Sequence, residues 1–221
     1  CPALKPPLRI AGFFGGEFSP HPAESRFNMT HYARLHQMPL FGADPLETGT
    51  DNDYGVVESF VMLPDAVGMV LTIRQGLTFN NGDPITPEDV VFSIELAASE
   101  FADSQINATL QGIGVTAKVV DANTVRLDFA KGAVTFPIEV SPLVFPLYVT
   151  SKAYWEANEG SIGTGEGLLL GTTPYRVTEF VPDSHVSFER VDTWWGGIPE
   201  VENVRVDFIP DENTRLLAAQ T

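Results

Sequence analysis

The chain has 221 residues, 43% hydrophobic and 19% charged, the balance of a folded globular protein and not of a solvated coil. Thirteen Lys and Arg stand against 29 Asp and Glu, a net charge of -16, so the surface repels phosphate backbones and argues against nucleic acid as a partner. No apolar run approaches the ~20 residues that cross a bilayer as a helix.

Cys1 is the single cysteine, which rules out an internal disulfide and a thiolate metal cluster. Pro2, Pro6 and Pro7 follow it, so the start reads as an extended tether. A Cys at the first position with no Met before it is what a processed bacterial lipoprotein shows. The alternative is a chain boundary that happens to fall at a Cys.

Leu8 to Phe13 is a short apolar run that reads as a strand, with a loop over 12–22. Thr30 to Met38 reads as a short helix, and 42–55 as a loop rich in Asp, Gly and Thr. Val56 to Leu63 and Met69 to Arg74 read as strands around the turn Pro64-Asp65-Ala66. Asn80-Asn81-Gly82-Asp83-Pro84 is a turn cluster, since Asn and Gly tolerate positive φ.

Thr86-Pro87-Glu88-Asp89 starts the strongest helix signal. Thr86 can cap free N–H groups, Pro87 suits the first helical position, and Asp89 lies three residues after the cap. Val90, Val91, Ile94, Ala97 and Ala98 recur at helical spacing. Val115 to Val120 and Thr124 to Phe129 flank Asp121-Ala122-Asn123 as a hairpin, with Val125, Leu127 and Phe129 on its buried face. Ser151 to Asn158 reads as a helix. Tyr175 to Val181, Val186 to Arg190 and Val204 to Ile209 read as strands, and Asp211 to Gln220 as a final helix without a capping Gly. The fold class is α+β, a mixed α/β pattern with many antiparallel hairpins.

Catalytic and metal motifs are missing. His21, His31, His36 and His185 make no i, i+4 pair with an acid to complete a metal set. Asp51-Asn52-Asp53-Tyr54-Gly55 has the look of a calcium loop, but its glycine is one residue early and its twelfth position is Met62. Gly163-Thr164-Gly165-Glu166-Gly167 lacks the Lys and Ser/Thr of a phosphate loop. There is no Gly-x-Ser-x-Gly elbow. Asn28-Met29-Thr30 and Asn107-Ala108-Thr109 are glycosylation triplets of a kind common by chance. These readings point away from an enzyme and name no cofactor.

Two segments resemble one family, the bacterial extracellular solute-binding proteins of family 5. In residues 71–97 the resemblance rests on Arg74, Gly76, Phe79, Asn81, Gly82 and Pro84 of a turn, and on Thr86, Glu88, Asp89, Val90 and Phe92 of the helix after it. In residues 171–221 it rests on Gly171, Thr172, Pro174 and Tyr175, on Trp195 and Gly197 of an aromatic pair motif, and on Asp211, Thr214 and Arg215. Glu58-Ser59-Phe60 is a weaker match. Thr173 stands where the family has Gly, Trp194 where it has Tyr, and Phe60 where it has Trp. The segments together cover about a third of the chain.

The resemblance implies a periplasmic-binding-protein-like lobe of type II with an antiparallel-rich subdomain. Residues 1–45 and 151–221 would belong to the lobe proper, and 46–150 to the inserted subdomain. The second lobe, which closes on the ligand, is expected to lie outside this chain, making it an N-terminal portion. The implied function is an extracytoplasmic receptor that delivers a peptide or other small solute to an ABC-transporter permease. Cys1 then becomes the lipid anchor to the membrane. Phe13, Phe14, Glu17 and Phe18 after the first strand, and Trp194, are the implied ligand contacts. From the residues alone, each aromatic serves equally as core and Glu17 as a solvated loop acid. Gly82, Pro84 and Asp89 read as fold determinants. Alternation along an extended segment sends Trp194 outward and Trp195 inward. A sensor or chaperone-like interaction protein of the same fold is the alternative function.

Overall fold

The computed structural model describes residues 7–12, 30–42, 54–100, 102, 104–158, 160–162 and 170–218. Cys1, Phe13, Phe14, Glu17 and Phe18 lie outside the described residues, as do residues 219–221, where the sequence reading ends the final helix.

Two four-stranded sheets form the frame. The first has the order β1-β8-β7-β6, from β1 (Leu8–Gly12), β6 (Tyr175–Val181), β7 (His185–Arg190) and β8 (Asn203–Phe208). β1 runs parallel to β8, with Leu8 opposite Val204 and Gly12 opposite Phe208, and the other pairs are antiparallel. The second has the order β2-β3-β5-β4, all antiparallel, from β2 (Val57–Met62), β3 (Gly68–Ile73), β4 (Val115–Asp121) and β5 (Thr124–Phe129).

Strand alternation builds each core. Val125, Leu127 and Phe129 are buried while Thr124, Arg126 and Asp128 between them are half-exposed. Met69, Leu71 and Ile73 line the same face from β3. α2 (Pro87–Ala98) covers that face with Val90, Ile94 and Ala97. Its start is a capping box: the Asp89 N–H donates to the Thr86 hydroxyl, and Asp89 Oδ2 accepts from the Thr86 N–H at 2.9 Å. The other Asp89 oxygen accepts from the Lys152 N–H at 2.9 Å, fixing the start of α5 (Lys152–Asn158) against α2. Val177, Phe180, Val186, Phe188, Val204, Val206 and Phe208 form the smaller core of the first sheet.

Two helices have no counterpart in the sequence reading. α3 (Gln105–Ile113) ends on Gly114 in the left-handed conformation, whose N–H caps the Leu110 and Gln111 carbonyls. α4 (Phe136–Glu139) is a single turn that delivers Phe136 to the core. The final helix is α6 (Glu212–Ala218) and the helix after β1 is α1 (Thr30–His36).

Candidate functional site

The stretch after α1 joins the two sheets. The Met38 carbonyl accepts from the Val149 N–H, the Leu40 N–H donates to Leu147, and the Val56 and Val57 N–H groups donate to Pro39 and Leu40. On its other side, the Thr172 N–H donates to His36 and the Met38 N–H to the Thr172 hydroxyl at 2.6 Å. Gly171 completes the junction. A Cβ there would come within 2.6 Å of both Asn80 Nδ2 and the His36 carbonyl, so only glycine permits this approach. The Thr173 hydroxyl donates to the Leu35 carbonyl, at the end of α1. The departure from the family's glycine at this position therefore ties α1 to the entry of β6.

A groove of about 450 Å³ opens beside this junction. Arg34, Leu35, Gln37 and Met38 supply one wall, and Thr173, Pro174 and Tyr175 another. Tyr54 and Trp194 close one side with rings inclined by only 10° and centroids 6.5 Å apart. Trp194 is half-buried against the larger core, and its indole N–H donates to the Thr172 carbonyl at 3.2 Å. The indole also lies over Gly196, where any Cβ would collide with the ring.

Trp195 corrects the expected alternation. It is 41% exposed and does not pack inward, with its ring 5.0 Å from that of Trp194 and the Arg74 guanidinium 5.9 Å above it. The reason is local backbone. The Trp194 N–H donates to Val191 and the Gly197 N–H to Trp194, so the segment is a pair of turns. A two-residue period holds only in an extended strand.

The electrostatics of the groove differ from those of the chain as a whole. Among its described lining residues Arg34 alone carries a charge. Arg34 Nη2 donates to the Pro142 carbonyl at 2.6 Å, and its side chain also meets the Tyr148 phenol. Burial pushes Tyr148 far above the ordinary tyrosine range, against the opposing pull of Arg34. Tyr175 is also raised by burial, with Arg190 opposing, and its hydroxyl donates to the Val201 carbonyl at 3.0 Å. Gln37 is 3% exposed, and its amide nitrogen has no hydrogen-bond partner among the described residues.

Elsewhere, Ser184 Oγ lies 2.9 Å from His185 Nδ1, and His185 Nε2 lies 2.9 Å from Glu179. The His185 hydrogen bond is the main cause that lowers the Glu179 carboxyl below its ordinary range. This chain of contacts closes the tight β6–β7 hairpin and serves the fold. No cluster of metal-binding side chains exists among the described residues. The Asn107 amide donates to the Ala97 and Ser99 carbonyls, so its nitrogen is engaged in joining α3 to α2.

Of the expected contacts, Trp194 alone falls among the described residues, and it stands on the groove wall. Sequence reasoning missed Arg34, Gln37 and Tyr54. Pro174 and Tyr175 were within the motif that carried the resemblance, but nothing in the sequence brings Tyr54 to Trp194.

A sequence profile of the bacterial extracellular solute-binding proteins, family 5, middle region, matches residues 54–221. The chain belongs to this family. Probable peptide-binding protein YejA of Agrobacterium fabrum is 28% identical over 180 residues, 75% of this chain and 28% of that protein. A dipeptide-binding protein from Pseudoalteromonas sp. SM9913, solved in complex with Met-Leu, superposes with a TM-score of 0.80 at 18% identity. That match covers 97% of this chain and 45% of the other. NikZ from Campylobacter jejuni, solved in complex with Ni(L-His), superposes with a TM-score of 0.77 at 17% identity, covering 97% of this chain and 41% of the other. The family 5 chain thus has the expected periplasmic-binding-protein fold and spans less than half the length of each of these three proteins.

Proposed function

We propose that this family 5 chain supplies one wall of the ligand site of an extracytoplasmic receptor, which captures a small solute, a peptide first of all, for an ABC importer. The observation that carries the reading is the open groove at the junction of the two sheets, with Trp194 and Tyr54 on its side. Parallel aromatic faces give a ligand large contact area at low entropic cost. A wall of this kind suits a receptor that gains affinity when a second lobe closes and excludes water. In this reading residues 1–45 and 151–221 form the ligand-binding lobe, and 46–150 an inserted subdomain. The separate β1-β8-β7-β6 and β2-β3-β5-β4 sheets support that division. Phe13, Phe14, Glu17 and Phe18 are further ligand contacts in this reading, and Cys1 carries the lipid.

The test is native mass spectrometry of the protein as its gene encodes it, purified from its host, followed by titration calorimetry against dipeptides, oligopeptides and nickel–histidine. A co-purified peptide with micromolar or tighter affinity is the expected result. Binding of the metal chelate alone would replace the peptide reading. Turnover of a bound peptide would refute the receptor reading.

A further inference from the structure

We infer that the Gln37 side-chain oxygen is an open acceptor on the groove wall, and that it takes a hydrogen bond from a neutral N–H of the ligand. The inference rests on the receptor reading above and deepens it: an interior amide of a peptide, and neither of its charged ends, lies at this wall.

Gln37 lines the groove and is only 3% exposed. Its amide nitrogen is sealed inside the wall, so the oxygen is the atom turned to the groove, and no described residue donates to it. The main chain beneath is fixed. The Gln37 N–H donates to the Ala33 carbonyl at 2.7 Å, and the flanking His36 carbonyl and Met38 N–H are both bonded to Thr172. An acceptor held in this way needs little reordering when a ligand arrives. In the open groove water serves it. Once a ligand covers the wall and water leaves, the oxygen needs a donor, because a buried polar group without one is costly.

The surroundings select the kind of donor. A carboxylate at this point would set oxygen against oxygen. An ammonium would share the groove with the Arg34 guanidinium, which the Pro142 carbonyl and the Tyr148 phenol hold in place. No described lining residue is acidic, so nothing among them would neutralise that second cation. The net charge of -16 favours cations over the surface at large, and at physiological salt it is screened beyond about 8 Å. A neutral amide avoids both repulsions and brings an N–H to the oxygen. Leu35, Met38 and Pro174 make the lining largely apolar, where a neutral group is the least costly to strip of water. Tyr54 and Trp194 then receive an apolar or aromatic side chain of the same ligand.

The test uses the protein as its gene encodes it, with dissociation constants from calorimetry. The small probes are N-methyl-3-phenylpropionamide, its ester counterpart methyl 3-phenylpropionate, 3-phenylpropionate and 3-phenylpropylammonium, and the peptide is acetyl-Ala-Phe-Ala amide. Wild type should bind the small amide about fivefold or more tightly than the ester, in which an oxygen replaces the N–H, and more tightly than either ion. Gln37→Met, unbranched and without the acceptor, should remove the preference for amide over ester, which isolates the one hydrogen bond from other differences between the probes. Gln37→Glu keeps an acceptor, so it should keep that preference and gain affinity for the ammonium. If the peptide does not bind but the small amide shows this pattern, the peptide reading fails and the Gln37 assignment stands. If the peptide binds and Gln37→Met leaves the preference intact, the receptor reading stands and the assignment falls. A small amide that binds wild type no better than the ester, tighter binding of either ion, or no binding of the small amide at all also overturns the assignment. So does a Gln37→Glu variant with no gain for the ammonium.

Discussion

The two adjacent tryptophans should respond unequally to truncation. Removing a fully buried Trp costs about 3–5 kcal/mol. Trp194 is half-buried against the larger core, so its packing is worth roughly half of that, about 2 kcal/mol. Its indole N–H also serves the carbonyl of the fully buried Thr172, worth about 1 kcal/mol more. Trp194→Ala should therefore cost about 3 kcal/mol, a drop in Tm of roughly 6–12 °C for a chain of this size. Trp195 is 41% exposed and loses its contacts with Arg74 and with the Trp194 ring, about 1–2 kcal/mol together. Urea titrations followed by far-UV circular dichroism give both values free of the lost fluorophore. Gly196→Ala should reproduce part of the Trp194 effect, because the added methyl collides with the indole. A Trp195→Ala loss larger than that of Trp194→Ala would refute the placement of the pair. So would a Gly196→Ala variant as stable as wild type.

Asp89→Ala should lose about 2–4 kcal/mol in the same titration, since it removes the capping box and strands the Lys152 N–H. Ala66→Gly should raise stability by up to about 1 kcal/mol, because Ala66 sits at a φ of 52° in the β2–β3 turn, where a Cβ is strained. Partial burial works to raise the Asp207 carboxyl, but hydrogen bonds and charge from Arg205 and Arg9 outweigh it and hold the group below its ordinary range. A lowered carboxylate stabilises the fold above its unfolded pKa, near 4, and loses that contribution as pH falls through the folded value. Asp207→Asn should thus be less stable than wild type at pH 7, and the difference should shrink below about pH 4 in a thermal melt series. Cys1→Ala expressed in the native host should move the protein from the membrane fraction to the soluble one. Unchanged membrane retention would remove the lipid-anchor proposal.

The strand and helix pattern was legible in the residues because it depends on neighbours in sequence. The alternation of Val125, Leu127 and Phe129 marked β5, and Thr86-Pro87-Glu88-Asp89 marked the start of α2, since pleat and cap are properties of a few consecutive residues. The α3 helix went unread although Gly114 ends it. Its sequence, Gln105 to Ile113, has Asn107 and Thr109 inside it, residues that favour turns until α2 offers carbonyls for the Asn107 amide. The family was legible from two motifs because turn and cap chemistry tolerate few substitutes.

The groove was not legible, because it is a junction of distant segments. Arg34 and Gln37 come from one end of the chain, Tyr54 from a loop, and Thr173 and Trp194 from the segments just before β6 and after β7. Tertiary hydrogen bonds, such as the one from the Thr172 N–H to the His36 carbonyl and the one from the Thr173 hydroxyl to Leu35, bring them together. The orientation of Trp194 and Trp195 was decided the same way. Sequence named two aromatics before two glycines, but which one packed depended on a turn over 191–197 and on the Thr172 carbonyl that waited for an indole N–H. Local chemistry thus determined most of the elements and the family, whereas the groove itself depended on tertiary contacts, from Trp194 to Thr172 within one end of the chain to Met38 and Thr172, 134 residues apart.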